Sequence, residues 1–141
     1  MTTNLKNAIE ILKSDDYTCV IVNGDSIYTS HDRGVKPLLD WFYSDIDTNG
    51  YAAADKVIGK AAAYLYVLLE IKEVYTKVIS EPAYEVMKKH GIEVHYEQLV
   101  EAIRNRTNTG FCPMETAVMD IDNADDALIA IKKKISELAE R

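Results

Sequence analysis

The strongest constraint on the fold is the order in which strand-like and helix-like segments alternate along the chain. Residues 17–22 and 26–30 are rich in β-branched side chains, and Asn23-Gly24-Asp25 between them favours a type I′ hairpin turn. Three more strand-like segments follow, separated by helix-like segments, at residues 52–57, 74–79 and 92–96. Strands joined through helices pair in parallel with right-handed crossovers. The pattern therefore predicts an α/β fold with a five-stranded mixed sheet, ordered 2-1-3-4-5, and helices on both faces.

Capping residues predict where the helices begin and end. Pro37 and Pro82 suit the first turn of two helices, because that position needs no N–H donor, and Gly91 suits a helix end. Residues 61–70 are apolar nearly all round, which predicts a buried helix. Residues 97–103 are predicted to form a short helix. The predicted N-caps are Asn4 or Thr3, Ser80 or Glu81, and Asn123.

The composition is typical of an ordinary globular protein. Of the 141 residues, 48% are apolar and 28% are charged, which suits one domain with a single core over residues 1–141. The net charge of −7 argues against sequence-independent binding to nucleic acid or to an anionic membrane. No apolar run approaches membrane-spanning length, and residues 1–6 lack the apolar stretch of a signal peptide. We therefore expect a cytoplasmic protein. The sequence leaves open whether it forms a homodimer.

Several local motifs restrict the set of fold families to which the sequence can belong. They are residues 33–38 (RGVKPL), 55–62 (DKVIGKAA), 79–83 (ISEPA), 105–107 (NRT) and 109–115 (TGFCPME). In this order they resemble a family of prokaryotic proteins catalogued as domain of unknown function 1893. The resemblance covers nearly the whole chain. It implies a three-layer α/β/α sandwich of the cytidine-deaminase-like superfamily, and it brings no known activity.

The resemblance also directs attention to the positions where true deaminases bind zinc. Those enzymes carry His-x-Glu at the helix after the third strand and Pro-Cys-x-x-Cys at the helix after the fourth. Here the first position is Lys56-Val57-Ile58-Gly59-Lys60 and the second is Ser80-Glu81-Pro82-Ala83-Tyr84-Glu85. Neither offers a thiol or an imidazole. We therefore expect no zinc-dependent deamination, no metal site and no cofactor.

The loops that follow the parallel strands should form the ligand site. In sheets of this type, ligands bind beyond the carboxyl ends of the strands. Residues 55–60, 79–82 and 104–115 meet there, and residues 31–36 would join them. Lysines beside a glycine at a helix N-terminus suit a small anion. The candidate ligand-binding residues are Arg33, Lys36, Lys56, Gly59, Lys60, Ser80, Glu81, Arg106, Thr109 and Gly110.

Cys112 is the best candidate for a nucleophile. It precedes a proline-initiated helical turn and follows an arginine-containing loop, a setting that favours the thiolate. Glu115 or Asp55 would then transfer protons. The competing interpretation makes Cys112 a small apolar filler. Cys19 lies inside a predicted strand and is assigned to the core.

Three classes of function stay open. The first is a protein that binds a small anionic metabolite, such as a nucleotide or nucleobase derivative, in the crevice at the strand ends. The second is a zinc-independent enzyme that uses Cys112. The third is a subunit that presents a face to a partner protein, to which Trp41, Phe42 and Tyr43 could contribute.

Overall fold

The protein is a five-stranded sheet surrounded by helices. A computed structural model describes residues 1–104 and 112–139. The strands are β1 (Cys19–Asn23), β2 (Ser26–Ser30), β3 (Ala52–Ile58), β4 (Glu73–Ser80) and β5 (Glu93–Val100). The helices are α1 (Thr3–Ser14), α2 (Lys36–Phe42), α3 (Lys60–Leu68), α4 (Glu81–Lys89), α5 (Pro113–Val118) and α6 (Ala124–Ala139). Among the described residues, no helix combines the length and apolar character needed to cross a membrane.

The sheet has the predicted strand order. Its strands are arranged β2-β1-β3-β4-β5, with β1 antiparallel to both of its neighbours and β3, β4 and β5 mutually parallel. The β1–β2 loop consists of Gly24 and Asp25. Gly24 has a φ of 60° and Asp25 has no positive φ, which fits a type II′ turn. The predicted type I′ turn, centred one residue earlier, is therefore wrong.

The two faces of the sheet carry different numbers of helices. Val20 and Val22 of β1 face α1, which covers them with Leu5 and Leu12. Cys19 and Ile21 alternate to the opposite face, where helices α2 to α6 build the larger core. The layered arrangement predicted from the alternation of strands and helices is confirmed, and among the described helices α1 is the one that covers its face of the sheet.

Helix α3 lies at the centre of the larger core. Its residues Ala61 to Tyr66 are all buried, as the sequence predicts. Leu65 is fully inaccessible, and burial of a leucine side chain contributes roughly 1.5–3 kcal/mol. Helix α6 packs against α3 through Ala127 and Ile131, which are also fully buried. The C-terminal part of the described chain is therefore anchored on α3.

Two helix N-caps follow the prediction and one does not. Ser80 accepts a hydrogen bond from Ala83 N at 3.2 Å, and Asn123 accepts one from Asp126 N at 2.8 Å. Helix α1 is capped by Thr2, whose hydroxyl accepts from Leu5 N, and not by Thr3 or Asn4. The Asn4 side chain instead accepts from Gly24 N at 2.9 Å and fastens α1 to the hairpin loop.

The helix predicted over residues 97–103 is wrong, because β5 extends to Val100. Strand β4 continues to Ser80, and its main chain pairs with β5 along that whole length, up to Ser80 opposite Val100. Among the described strands β5 lies at the edge of the sheet, and the ladder satisfies those of its main-chain groups that point toward β4. Pairing with a neighbouring strand outweighs the local helix propensity of Glu97 to Leu99.

Loss of the Ser80 cap is expected to destabilise the protein. Ser80→Ala should lower the free energy of unfolding by about 1 kcal/mol, because Ala83 N loses its acceptor. Urea denaturation measures the change. Ser136→Ala, at an exposed position of α6, is the matched control and should change it by less than about 0.5 kcal/mol. Equal effects of the two substitutions would contradict the capping role.

Candidate ligand-binding cleft

The described residues line a cleft of about 750 Å³ at the carboxyl end of β3. The start of β1, the loop before α2, the first turn of α3 and the start of α5 all contribute to its walls. Strand β1 begins here because it runs antiparallel to β3, so that Cys19 lies opposite Asp55. The sequence predicts a ligand site at the carboxyl ends of the parallel strands. The cleft lies at the end of β3, and residues 79–82 at the end of β4 do not line it.

Most of the cleft surface is apolar, and its charged side chains are few. The apolar side chains include Val35, Pro37, Ala61, Ala62, Ile103 and Met114. Arg33, Lys56 and Arg104 are the cationic side chains that line it within the described residues, and Asp32, Asp55 and Glu115 are the anionic ones. A concave apolar surface with a few charged groups is typical of sites for small molecules.

Three polar side chains form a connected network in the cleft wall. Tyr66 Oη donates to Asp55 Oδ2 at 2.6 Å and lies 3.2 Å from Cys19 Sγ. Val57 N donates to the other oxygen, Asp55 Oδ1, at 3.3 Å. Tyr66 is fully buried in α3, so its hydroxyl reaches Asp55 from beneath the sheet. Asp55 and Cys19 line the cleft, whereas Tyr66 supports them from behind.

Burial changes the acidity of all three groups. It raises the pKa of Asp55 from 3.8 to about 6, against the opposing effect of the hydrogen bond from Tyr66. Burial, and then the negative charge of Asp55, raises the pKa of the Cys19 thiol well above its usual value. The same two causes raise the pKa of Tyr66. Asp55 can therefore take up or release a proton close to neutral pH, while Cys19 and Tyr66 keep theirs.

The N-terminus of α3 is occupied by the carboxylate of Glu115. Lys60 N donates to Glu115 Oε1 at 2.6 Å, and Ala61 N donates to Oε2 at 3.0 Å. A Cβ atom at Gly59 would lie 2.4 Å from the Glu115 carboxyl carbon, so a glycine is needed here for close approach. The sequence predicts an anion at this helix end, and the structure places the chain's own carboxylate there.

The two lysines predicted to hold an anion together point in different directions. Lys60 Nζ donates to Met119 O at 3.0 Å, at the C-terminus of α5. Lys56 lines the cleft, and its Nζ forms an ion pair with Asp16 Oδ1 at 3.2 Å. Both side chains of that pair are well exposed, so the ion pair is weakened by water. Lys56 can therefore exchange Asp16 for a ligand in the cleft.

The other predicted ligand-binding residues divide into three groups. Arg33 lines the cleft, whereas Lys36 does not and pairs with Asp40 at 2.8 Å. Ser80 is buried as the α4 cap and Glu81 is exposed on the first turn of α4; neither lines the cleft. Arg106, Thr109 and Gly110 lie outside the described residues.

Cys112 and Glu115, predicted as nucleophile and proton carrier, both reach the cleft. Cys112 is the N-cap of α5, and its main-chain N–H donates to Ile103 O at 3.1 Å. Glu115 is fully engaged by α3, so it is not available to move a proton unless α3 loses its cap. Asp55, the other predicted proton carrier, keeps access to the cleft.

Sequence reasoning missed Tyr66 and assigned Cys19 to the core alone. Cys19 is buried, as predicted, but its sulfur belongs to the Asp55 network. The sequence does contain one signal for such a network. Tyr66 lies within the helix predicted to be buried, and a buried tyrosine hydroxyl requires a hydrogen-bond partner. The identity of that partner depends on the register of β1 and β3, which the sequence does not specify.

Comparison with known proteins identifies the family. The family described as Domain of unknown function (DUF1893) matches residues 7–135. This chain belongs to the DUF1893 family. A crystal structure of a DUF1893 family protein from Thermotoga maritima is similar, with 27% identity and a TM-score of 0.84, over 97% of this chain and 92% of that one.

A second solved structure is more distant. The dCMP deaminase from the cyanophage S-TIM5, in its apo form, matches at 14% identity and a TM-score of 0.47. The match covers 68% of this chain and 99% of that one. No curated protein sequence matches this chain. The family assignment therefore rests on the family match and the T. maritima structure.

Gly59→Ala is expected to expel the Glu115 carboxylate from α3. The added methyl group would overlap the carboxyl group, and overpacking of this kind costs about 1–3 kcal/mol of stability. The loss should shrink strongly in a Glu115→Ala background, because the overlapping group is then absent. A double-mutant cycle from urea denaturation measures this coupling. Additive effects would show that Glu115 does not occupy the helix terminus.

Asp55 should make stability fall as the pH rises. Its pKa is higher in the folded protein than the ordinary value, so its contribution is complete below 3.8 and is lost as the pH rises through about 6. Relative to Asp55→Asn, the wild type should lose up to about 3 kcal/mol across that interval. Urea denaturation at several pH values measures the difference, with Asp45→Asn, at an exposed position, as control. A difference that is constant or grows with pH would refute the elevated pKa.

Proposed function

We propose that the cleft binds a small anionic metabolite that has a flat apolar portion, such as a nucleotide or a nucleobase derivative. The observation that carries the proposal is the combination of apolar walls with Arg33, Lys56 and Arg104 in one concave site. Its volume of about 750 Å³ lies within the range of about 300–1,000 Å³ that small-molecule sites occupy.

The cationic side chains are suited to the charged end of such a ligand. Arg33 and Arg104 carry guanidinium groups, which bind carboxylate or phosphate through two parallel hydrogen bonds. Lys56 adds a point charge, and its exposed pair with Asp16 costs little to exchange for a ligand. The N-terminus of α3 would contribute no donor to the ligand, because Glu115 already accepts from its first two N–H groups.

Asp55 is suited to the uncharged, polar part of the ligand. Tyr66 and Val57 hold its carboxyl group in place, and its pKa of about 6 lets it act as donor or acceptor near neutral pH. The surrounding alanine and proline side chains would pack against a planar ring. Asp55 would thereby select the hydrogen-bonding edge of the ligand, and the arginines its charge.

The proposal includes no zinc-dependent deamination. Helix α3 begins at Lys60 after its N-cap Gly59, and α4 begins at Glu81 after its N-cap Ser80. Those two helix starts supply neither the imidazole nor the thiols that hold zinc in deaminases.

A zinc-independent enzyme is the second candidate, favoured by one observation. Cys112 and Asp55 line the same cleft, so a thiol and a group that exchanges protons near neutral pH face the same ligand volume. In that version Asp55 takes the proton-transfer role, since Glu115 is held by α3. The binding function does not require Cys112, which gives a way to separate the two.

Ligand binding is tested by thermal shift and calorimetry with nucleoside monophosphates, nucleobases and inorganic phosphate. We expect a nucleoside monophosphate to stabilise the protein more than phosphate does, because it also fills the apolar walls. Arg33→Gln with Lys56→Gln should weaken binding by about tenfold or more, since a hydrogen bond to a charged group contributes roughly 1.5–3 kcal/mol.

Two further variants test the specificity of the charge effect and separate binding from catalysis. Lys6→Gln removes the same kind of charge from the exposed side of α1 and should leave the affinity unchanged. Cys112→Ser should retain binding under the proposed function, and loss of a chemical conversion in that variant alone would favour the enzyme. If no anionic compound of the panel stabilises the wild type, the proposed function is wrong.

A further inference from the structure

A second cluster of polar side chains lies at the opposite end of the sheet, on the face that carries α1. Glu73 begins β4 and Glu93 begins β5, and the two are register partners in the parallel ladder. His95 follows two residues along β5 and therefore projects from the same face as Glu93. The three residues lie at the amino ends of the strands, whereas the cleft lies at the carboxyl end of β3.

The ligand atoms of these three residues converge. One atom from each of Glu73, Glu93 and His95 lies within 4.8 Å of the other two, and His95 Nε2 is 3.8 Å from Glu93 Oε1. Metal–ligand distances of about 2.0–2.2 Å allow such atoms to meet one ion after side-chain shifts of roughly an ångström. The backbone already places them together, because their positions follow from strand register.

Two of the groups are buried without full compensation. Glu73 is only 2% exposed, and its Oε1 accepts hydrogen bonds from the N–H and the hydroxyl of Thr2. No ion pair to Glu73 is found within residues 1–104 and 112–139. His95 Nε2 is shielded from solvent, and in the described part of the chain it has no hydrogen-bond partner. Each such group costs stability unless something binds it.

We propose that Glu73, Glu93 and His95 bind one divalent transition-metal ion of the zinc class. A single cation would neutralise the two carboxylates and coordinate the unpartnered imidazole nitrogen. One nitrogen and two oxygen ligands suit Zn²⁺, and three protein ligands leave a fourth position for water. Glu93 is 63% exposed in its side chain, so the ion has an entry path from solvent.

The ion would connect the outer layer of the fold to the edge of the sheet. Thr2 caps α1 and donates to Glu73, while Glu93 and His95 belong to the edge strand β5. The metal would thus join the start of α1, β4 and β5. This proposal does not depend on ligand binding in the cleft, and it replaces the expectation from the sequence that the chain has no metal site.

The test is a titration of the chelator-treated full chain with Zn²⁺ by calorimetry, and with Co²⁺ by visible absorption. We expect one equivalent to bind and to raise the melting temperature. His95→Gln and Glu93→Gln should each lower the affinity by at least about tenfold, since even groups that only support metal ligands contribute that much. X-ray absorption should show one imidazole and oxygen ligands.

The variants are chosen so that a negative result is informative. His95 and Glu93 are partly accessible, so their substitutions should leave the fold intact even if Glu73→Gln does not. His31→Gln and Glu10→Gln, outside the cluster, are the matched controls and should bind as the wild type does. Absence of stoichiometric binding, binding unchanged in His95→Gln, or a sulfur ligand in the absorption spectrum would each overturn the proposal.

Discussion

The contact between Glu115 and the start of α3 determines how the cleft is built. Two charge-assisted hydrogen bonds join a carboxylate in α5 to the first N–H groups of the central buried helix. A negative charge at a partly buried helix N-terminus contributes up to about 2 kcal/mol. Lys60 completes the attachment by donating to Met119 O at the end of α5. Helix α5 is thereby fixed at both ends, and it carries Cys112 and Met114 to the cleft.

The same contact changes which groups are available for chemistry. The helix dipole that would attract a ligand anion is already satisfied, so positive charge in the cleft comes from side chains. Glu115 is likewise committed, whereas Asp55, with a pKa of about 6, keeps access to the cleft. Tyr66 connects Asp55 to the centre of α3, so the acidity of the cleft depends on the packing of the core.

The sequence predicts the sheet well because the signals for strands, helices and helix ends are local and recur along the chain. Alternation of strands and helices determines the strand order, and Pro37, Ser80, Pro82 and Asn123 mark real helix ends. The sequence predicts too early an end for β5, because an edge strand extends as far as the neighbour with which it pairs. The cap of α1 lies one or two residues before the predicted position, and Asn4 instead accepts a hydrogen bond from the hairpin loop.

The site is less predictable, because it depends on contacts between distant segments. The chemistry expected at residues 59–60, an anion on a helix end, is present, but the anion comes from Glu115. Ser80 is predicted both as the α4 cap and as a ligand residue, and it is buried as the cap and does not line the cleft. The groups of the Asp55 network and of the Glu73 cluster come together only through strand register and core packing.

The most direct measurement of this account is NMR detection of scalar coupling across the hydrogen bonds between Glu115 and α3. Coupling from the Lys60 and Ala61 amide nitrogens to the Glu115 carboxyl carbon should be observed, and inorganic phosphate should leave both amide signals in place. If that coupling is missing and phosphate shifts the two amides, the helix terminus is an open anion site and the account is wrong.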